Sequence, residues 1–286
     1  MTFTVASADV PKAEALVELA GAESISLHDA ADDPVLEPEP ATAPLWPTVI
    51  VRAAFAGDAD LSALCELLRV SCTAAAVSVT ALDESAWERG LRQVVEARSI
   101  GRRLWLAPAD DDTGPADRSI VRLNMGLAFG TGAHPTTALC LDWLDAQLPS
   151  GATVLDYGCG SGVLAIAALV LGASRAWAVD NDPQALLATS ANAALNRVGN
   201  RLFIGAPESL PAVTTDVLVA NILAAPLIEL APALTARLRP KGMLVLSGVL
   251  EHQAPRVTAA FAPYFGTFDV AAAEGWARLT ARRNPG

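Results

Sequence analysis

A short stretch near the middle of the chain carries the residues with the clearest chemical potential. Residues 154–162 read Val-Leu-Asp-Tyr-Gly-Cys-Gly-Ser-Gly, an apolar strand that runs into a turn containing Gly158, Gly160 and Gly162. Glycines let a backbone pass close to a ligand, and open α/β sheets bind ligands at the carboxyl ends of their strands. The next predicted strand ends at Asp180, where a carboxylate can accept hydrogen bonds from both hydroxyls of a ribose. This pattern predicts a nucleoside site.

Two positions favour S-adenosylmethionine over a dinucleotide. The dinucleotide pattern G-x-G-x-x-G, counted from Gly158, requires glycine where this chain has Val163. Asp156 precedes the turn, where a carboxylate repels a pyrophosphate but can accept from a cationic amino group or support the loop. An alternative is that the glycines form only a tight strand–helix connection.

Two other polar groups are candidates for the same crevice. Asn221 ends the fourth predicted strand, in the run LVANIL at 218–223, where its amide can accept from a substrate N–H or simply end a turn. Residues 126–137 (GLAFGTGAHPTT) are rich in glycine and threonine, which predicts a loop over the ligand. His134 in this run is either a general base or a partner in a loop-stabilising hydrogen bond, and we favour the hydrogen bond.

Strands and helices that alternate after residue 119 must position these groups. Strands are predicted at 153–156, 175–179, 202–204, 216–220 and 243–247, with helices at 163–170, 183–196 and 226–238. This alternation predicts an α/β fold with a parallel, doubly wound sheet. Residues 268–281 add an antiparallel hairpin around Glu274 and Gly275.

The first 80 residues predict a separate, smaller α+β domain. The order strand 2–6, helix 12–20, strands 24–28 and 48–55, helix 61–68 and strand 74–79 is that of a ferredoxin-like βαββαβ sheet. A proline-rich loop is predicted at 32–47, a connecting helix at 83–98 and an acidic loop at 110–117. We therefore expect domains at 1–80 and 119–286, joined by a linker helix and loop at 81–118.

Composition excludes several classes of protein. With 52% hydrophobic and 18% charged residues, the chain can build a core and is neither disordered nor fibrous. No membrane-spanning run or secretory signal is visible. A net charge of −11 disfavours nucleic-acid binding and suits a basic protein or a cationic ligand. Four cysteines and three histidines show no metal-binding spacing, so we expect no metal and a cytoplasmic location.

Four motifs together resemble a known family. GLAFGTGAHPTT at 126–137, DYGCGSG at 156–162, AVDNDP at 178–183 and VANIL at 219–223 occur in the order and spacing of the bacterial ribosomal protein L11 methyltransferases, called PrmA. The resemblance covers the whole chain. It implies a small N-terminal ferredoxin-like domain for substrate recognition, a linker helix and a class I, Rossmann-like methyltransferase domain with seven strands.

The resemblance also implies the site and the reaction. It assigns contacts with S-adenosylmethionine to Thr137, Gly158, Asp180 and Asn221, to which we add Gly160 from the turn, and we expect Asn221 to be catalytic. The implied reaction is methylation of lysine side chains and an N-terminal amine of ribosomal protein L11. We expect a monomer that contacts neither nucleic acid nor membrane.

Other functions remain open at this stage. The same fold could act on another protein, or methylate glutamine or a nucleobase, although those enzymes often have N-P-P-aromatic where this chain has Asn221-Ile222-Leu223-Ala224. A nicotinamide-dependent oxidoreductase is disfavoured by Val163, and a non-catalytic adaptor is disfavoured by retention of the contact positions.

Overall fold

The computed structural model describes residues 1–30, 46–57, 59–80, 97–111, 114–124 and 134–285. The chain divides into two compact units, Met1–Arg89 and Gly90–Gly286. The predicted loop at 32–47, the predicted connecting helix at 83–98 and the predicted loop at 126–137 lie mostly outside the described residues. Within the described ranges, no helix has both the length and the apolar character that crossing a membrane requires.

The first unit is a four-stranded antiparallel sheet with two helices. Its elements are β1 (Thr2–Ala6), α1 (Val10–Leu19), β2 (Ser24–Asp29), β3 (Thr48–Ala54), α2 (Ser62–Ser71) and β4 (Ala75–Ser78). The strand order β2-β3-β1-β4 confirms the ferredoxin-like arrangement.

The core of this unit is built from apolar side chains that alternate along its strands. Phe3 and Val5 of β1 and Val51 of β3 are buried, and Leu64 and Leu68 of α2 pack against them. Leu67 of the same helix points away from this cluster and is 45% exposed. Oδ1 of Asp60 accepts a hydrogen bond from the backbone N–H of Ser62 (3.0 Å), the first residue of α2, whereas the N-cap residue Leu61 makes no side-chain capping bond.

A three-stranded sheet opens the second unit. It consists of β5 (Arg98–Ile100), β6 (Leu104–Pro108) and β7 (Ser119–Leu123). Residues 98–108 were expected in the linker, but they form β5, a turn and β6, and the apolar side chains of both strands share a core with helices of the second unit. Asp145 of the helix that follows holds their turn by accepting from Arg102 N (2.8 Å) and Leu104 N (2.8 Å). Sequence analysis missed these strands because they are too short to show a clear alternation of apolar and polar side chains.

The large sheet has seven described strands in the order β10-β9-β8-β11-β12-β14-β13. The strands are β8 (Thr153–Tyr157), β9 (Arg175–Val179), β10 (Leu202–Gly205), β11 (Thr215–Asn221), β12 (Leu238–Leu250), β13 (Asp269–Ala273) and β14 (Trp276–Arg282). All neighbours are parallel except those of β14, which pairs antiparallel with β12 and β13. The predicted parallel α/β sheet and its terminal hairpin are confirmed.

Helices cover both faces of this sheet, because alternate strand residues point to opposite sides. α3 (Pro135–Gln147), α4 (Val163–Val170) and α5 (Pro183–Leu195) contribute to one apolar cluster, and α6 (Ala224–Ala236) and α7 (Ala254–Phe261) contribute to the other. Two helices differ from expectation. α7 was not predicted. α3 begins at Pro135, inside the run predicted as a loop; its start was missed because the preceding residues are rich in glycine and threonine and show no helical periodicity.

Candidate active site

The candidate residues meet at one edge of the large sheet. β8 lies between β9 and β11, and these three parallel strands end on the same side. The chain turns from β8 toward β9 in one direction and later returns to β11 on the other side of β8. A crevice forms at such a switch point in open α/β sheets, at the carboxyl ends of the strands.

The glycine turn after β8 is held in a conformation that favours glycine. Gly158, Gly160 and Gly162 have φ values of +78°, +53° and +77°. The backbone N–H groups of Gly158 and Cys159 both donate to the carbonyl oxygen of Val179 (2.8 and 3.0 Å), which ties the turn to the end of β9. A Cβ added at Gly162 would lie 2.7 Å from Cγ2 of Thr189, so packing as well as backbone conformation requires glycine there, and the neighbouring strand sets the shape of the turn.

Asp180 lies directly beside this turn. Its Oδ2 accepts from Gly160 N (2.9 Å) and its Oδ1 accepts from Asp182 N (3.0 Å), while the side chain remains partly exposed. A carboxylate has about four lone-pair positions, so these two bonds leave capacity to accept from further donors. The structure thus brings together Asp180 and Gly160, which the sequence singled out separately.

Asn221 and Thr137 also meet, although 84 residues separate them. Nδ2 of Asn221, at the end of β11, donates to Oγ1 of Thr137 (3.2 Å). Thr137 was expected in a loop; instead it is buried in the first turn of α3. This bond fixes the orientation of the Asn221 amide and leaves its Oδ1 as the acceptor.

His134 caps α3. Its Nδ1 lies 2.8 Å from Oγ1 of Thr136 and accepts from Thr136 N at 3.4 Å, and its ring packs edge-on against Trp276 with 4.9 Å between ring centroids. Burial lowers the pKa of His134, and Glu274 opposes that shift. These contacts correspond to the hydrogen-bonding alternative that the sequence favoured.

Asp156 supports the helix that follows the glycine turn. It is fully buried, and its Oδ2 accepts from Ala165 N (3.0 Å) in the first turn of α4. Its Oδ1 has no hydrogen-bond partner among the described residues. Burial raises the pKa of Asp156 to about 7; the Ala165 bond opposes this shift and the charge of Asp180 adds to it.

The raised pKa of Asp156 predicts a pH dependence of stability. Between its ordinary pKa of 3.8 and about 7, Asp156 is protonated in the folded protein and ionised in the unfolded chain, so raising the pH favours unfolding. This one group should cost a few kcal/mol across that window. Urea unfolding should show that Asp156→Asn, which cannot ionise, gains stability relative to wild type between pH 5 and pH 8. A difference independent of pH would mean that Asp156 is already ionised when folded.

Sequence reasoning missed Gly248. This glycine lies inside β12 with φ +79°, where the pairing with β14 shifts register between Leu246 and Val249. The predicted strand stopped at residue 247. A glycine within an apolar strand pattern signals a bulge or a close backbone approach, and that signal could have found it.

The fold, together with the residues at this edge of the large sheet, defines a class of enzyme. A seven-stranded sheet of this order, with a glycine turn after β8 and an acidic residue at the end of β9, is that of the class I methyltransferases, whose cofactor is S-adenosylmethionine. A sequence model described as ribosomal protein L11 methyltransferase (PrmA) matches residues 1–284, and the chain belongs to this family.

Individual relatives agree with this assignment. The chain is 46% identical over 274 residues to a ribosomal protein L11 methyltransferase of Pseudomonas aeruginosa, covering 94% of this chain and 92% of that protein. A protein of the same name from Marinobacter nauticus is 44% identical over 273 residues, covering 93% and 92%. Among solved structures, the ribosomal protein L11 methylase of Lactobacillus delbrueckii subsp. bulgaricus matches with a TM-score of 0.59 and 34% identity, covering 66% of this chain and 98% of that one.

The described residues fit S-adenosylmethionine. Asp180 has unused acceptor capacity for ribose hydroxyls beside the glycine turn. Oδ1 of Asp156 is a buried acceptor that a cationic amino group would satisfy.

Proposed function

We propose that this chain transfers the methyl group of S-adenosylmethionine to amino groups of ribosomal protein L11, on lysine side chains and at the N-terminal amine. The observation that carries the proposal is the Asn221–Thr137 hydrogen bond, which presents an oriented amide beside the glycine turn. The family's name and the relatives' names supply the protein substrate.

In this proposal, five residues hold the cofactor. Asp180 accepts from the ribose hydroxyls, Gly158 and Gly160 present their backbone to the nucleoside, and Thr137 and Asn221 border the opposite side of the crevice. Bound S-adenosylmethionine supplies a methyl group on a positively charged sulfur.

The acceptor amine must be neutral to attack. A lysine amine with an ordinary pKa of about 10.4 is neutral in roughly one molecule of 2,500 at pH 7, so transfer requires loss of a proton and good alignment. Asn221 contributes to alignment because the bond from Nδ2 to Thr137 orients the amide, and Oδ1 is left to accept from the amine N–H. An amide does this without adding a charge beside the sulfonium.

We also propose that the first unit recognises the protein substrate, because the candidate cofactor residues all lie in the second unit. The net charge of −11 is complementary to a basic protein substrate. A cytoplasmic monomer that contacts neither nucleic acid nor membrane is consistent with this assignment.

A fragment that begins at residue 97 should bind S-adenosylmethionine with near-normal affinity and fail to methylate ribosomal protein L11. Starting there keeps β5 and β6 paired with the rest of the second unit, whereas starting near residue 117 would remove both strands from its core. Calorimetry would measure cofactor affinity, and circular dichroism would establish that the fragment folds. Normal methylation by the folded fragment would contradict a substrate-binding role for the first unit.

The proposed function is tested by incubating the protein with S-adenosylmethionine labelled on its methyl group and purified ribosomal protein L11. We expect label in ribosomal protein L11, located by peptide mass spectrometry on lysine and N-terminal amines. Ribosomal protein L11 whose amines have been acetylated is the matched control and should stay unlabelled, because the lone pair of an amide nitrogen is not available to attack. Binding of cofactor without transfer would favour an adaptor, and label on glutamine would change the acceptor class.

A further inference from the structure

We infer that Ile222 is a positioning residue that couples the cofactor turn to the acceptor amide, because it is held between two glycines, Gly158 and Gly248. The inference rests on the proposed function for its effect on transfer. The contacts themselves can be tested in the protein without cofactor.

The first contact joins Ile222 to the glycine turn. A Cβ added at Gly158 would overlap Cγ2 of the Ile222 side chain, and the next nearest atom, Ile222 Cβ, would lie at 3.8 Å. The space that glycine leaves at position 158 is therefore filled by one methyl group of Ile222. Gly158 thus lacks a side chain for a reason that is independent of cofactor approach.

The second contact joins the backbone of Ile222 to β12. A Cβ added at Gly248 would overlap the Ile222 carbonyl oxygen and lie 2.7 Å from its carbon and 2.9 Å from its nitrogen. Real Cβ atoms do not approach backbone this closely. Gly248 therefore lets the chain cross β12 immediately after Asn221.

These contacts fix Asn221 through its neighbour. Asn221, the last residue of β11, pairs with Ser247 of β12, and the residues that follow these two in the chain, Ile222 and Gly248, make the close contact. Through its side chain, Ile222 then touches the turn that borders the cofactor. A shift in either glycine would move the Asn221 amide relative to the bound methyl group, and misplacement by about 1 Å can slow a reaction about 100-fold.

Stability of the cofactor-free protein tests the contact at Gly158. Gly158→Ala should lower the melting temperature more than Gly151→Ala, which has a similar φ (+75°) but no described heavy atom within 4 Å of the added Cβ. In an Ile222→Ala background, Gly158→Ala should cost no more than Gly151→Ala, because the overlapping methyl group is gone. An equally large loss in both backgrounds would overturn the contact.

Single-turnover transfer tests the coupling. Ile222→Ala should slow transfer about 10- to 100-fold at saturating substrates, with cofactor affinity changed less than 3-fold. Ile222→Val, which keeps Cγ2, should restore the rate, and a merely structural role would not separate rate from affinity in this way. An Ile222→Ala protein that transfers at the wild-type rate would overturn the inference. If the wild-type protein transfers no methyl group, the proposed function fails, and the stability experiment alone decides whether Ile222 ties the two segments together.

Discussion

Replacing Asp180 by alanine should weaken binding of S-adenosylmethionine about 10- to 150-fold while the protein stays folded. Hydrogen bonds to a charged group are each worth about 1.5–3 kcal/mol, which corresponds to that range of affinity. Asp180 already accepts from Gly160 N in the turn, so its loss removes a ribose acceptor and loosens the turn together. Isothermal calorimetry with S-adenosylmethionine measures the change.

Two controls separate these contributions. Asp182→Ala removes the cap of α5, where Oδ1 accepts from Gln184 N (2.9 Å), and should lower stability by about 1 kcal/mol with little effect on affinity. An S-adenosylhomocysteine analogue without the 2′-hydroxyl should bind wild type weakly, but should bind the Asp180→Ala protein as well as the parent compound does. If the analogue loses affinity equally with both proteins, the ribose lies elsewhere.

Replacing Asn221 by alanine should slow single-turnover methyl transfer about 100-fold, with a small change in melting temperature. The side chain is polar and sits at a strand end, so its removal costs little apolar burial. Rapid-quench transfer at saturating cofactor and ribosomal protein L11 measures the rate. A wild-type rate would make Asn221 only a turn residue.

Asn221→Asp distinguishes orientation from charge. The carboxylate keeps an acceptor but adds a negative charge beside the sulfonium, which stabilises the cationic ground state more than the transition state, where that charge is dispersing. Asn221→Asp should therefore bind cofactor at least as well as Asn221→Ala and remain slow.

Thr137→Val is the matched test of amide orientation, because it removes Oγ1 at nearly constant volume. It should slow transfer in wild type and have no further effect in Asn221→Ala. Equal effects in the two backgrounds would show that Thr137 acts independently of Asn221.

Local patterns in the sequence determined the fold class and most of the edge residues. The strand that ends in Gly158, Gly160 and Gly162, and the acid at the end of the next strand, are contiguous segments whose conformation depends mainly on neighbouring residues. Because parallel strands end at one edge, identifying the strands was enough to predict that Asp180 and Asn221 share a crevice. Val163 and Asp156 then favoured S-adenosylmethionine as the cofactor, and the family motifs agreed.

Only the tertiary structure decided which of these groups touch. The Asn221–Thr137 bond spans 84 residues, and it required α3 to begin within a glycine- and threonine-rich run that has no helical periodicity. The placement of Ile222 between Gly158 and Gly248 likewise depends on three segments meeting in space. β5 became a strand of the second unit only through pairing with β6, and β6 through pairing with β7 and through the bond from Leu104 N to Asp145. Contacts of this kind leave little local pattern, because they are stabilised by packing and hydrogen bonds between segments far apart in the chain.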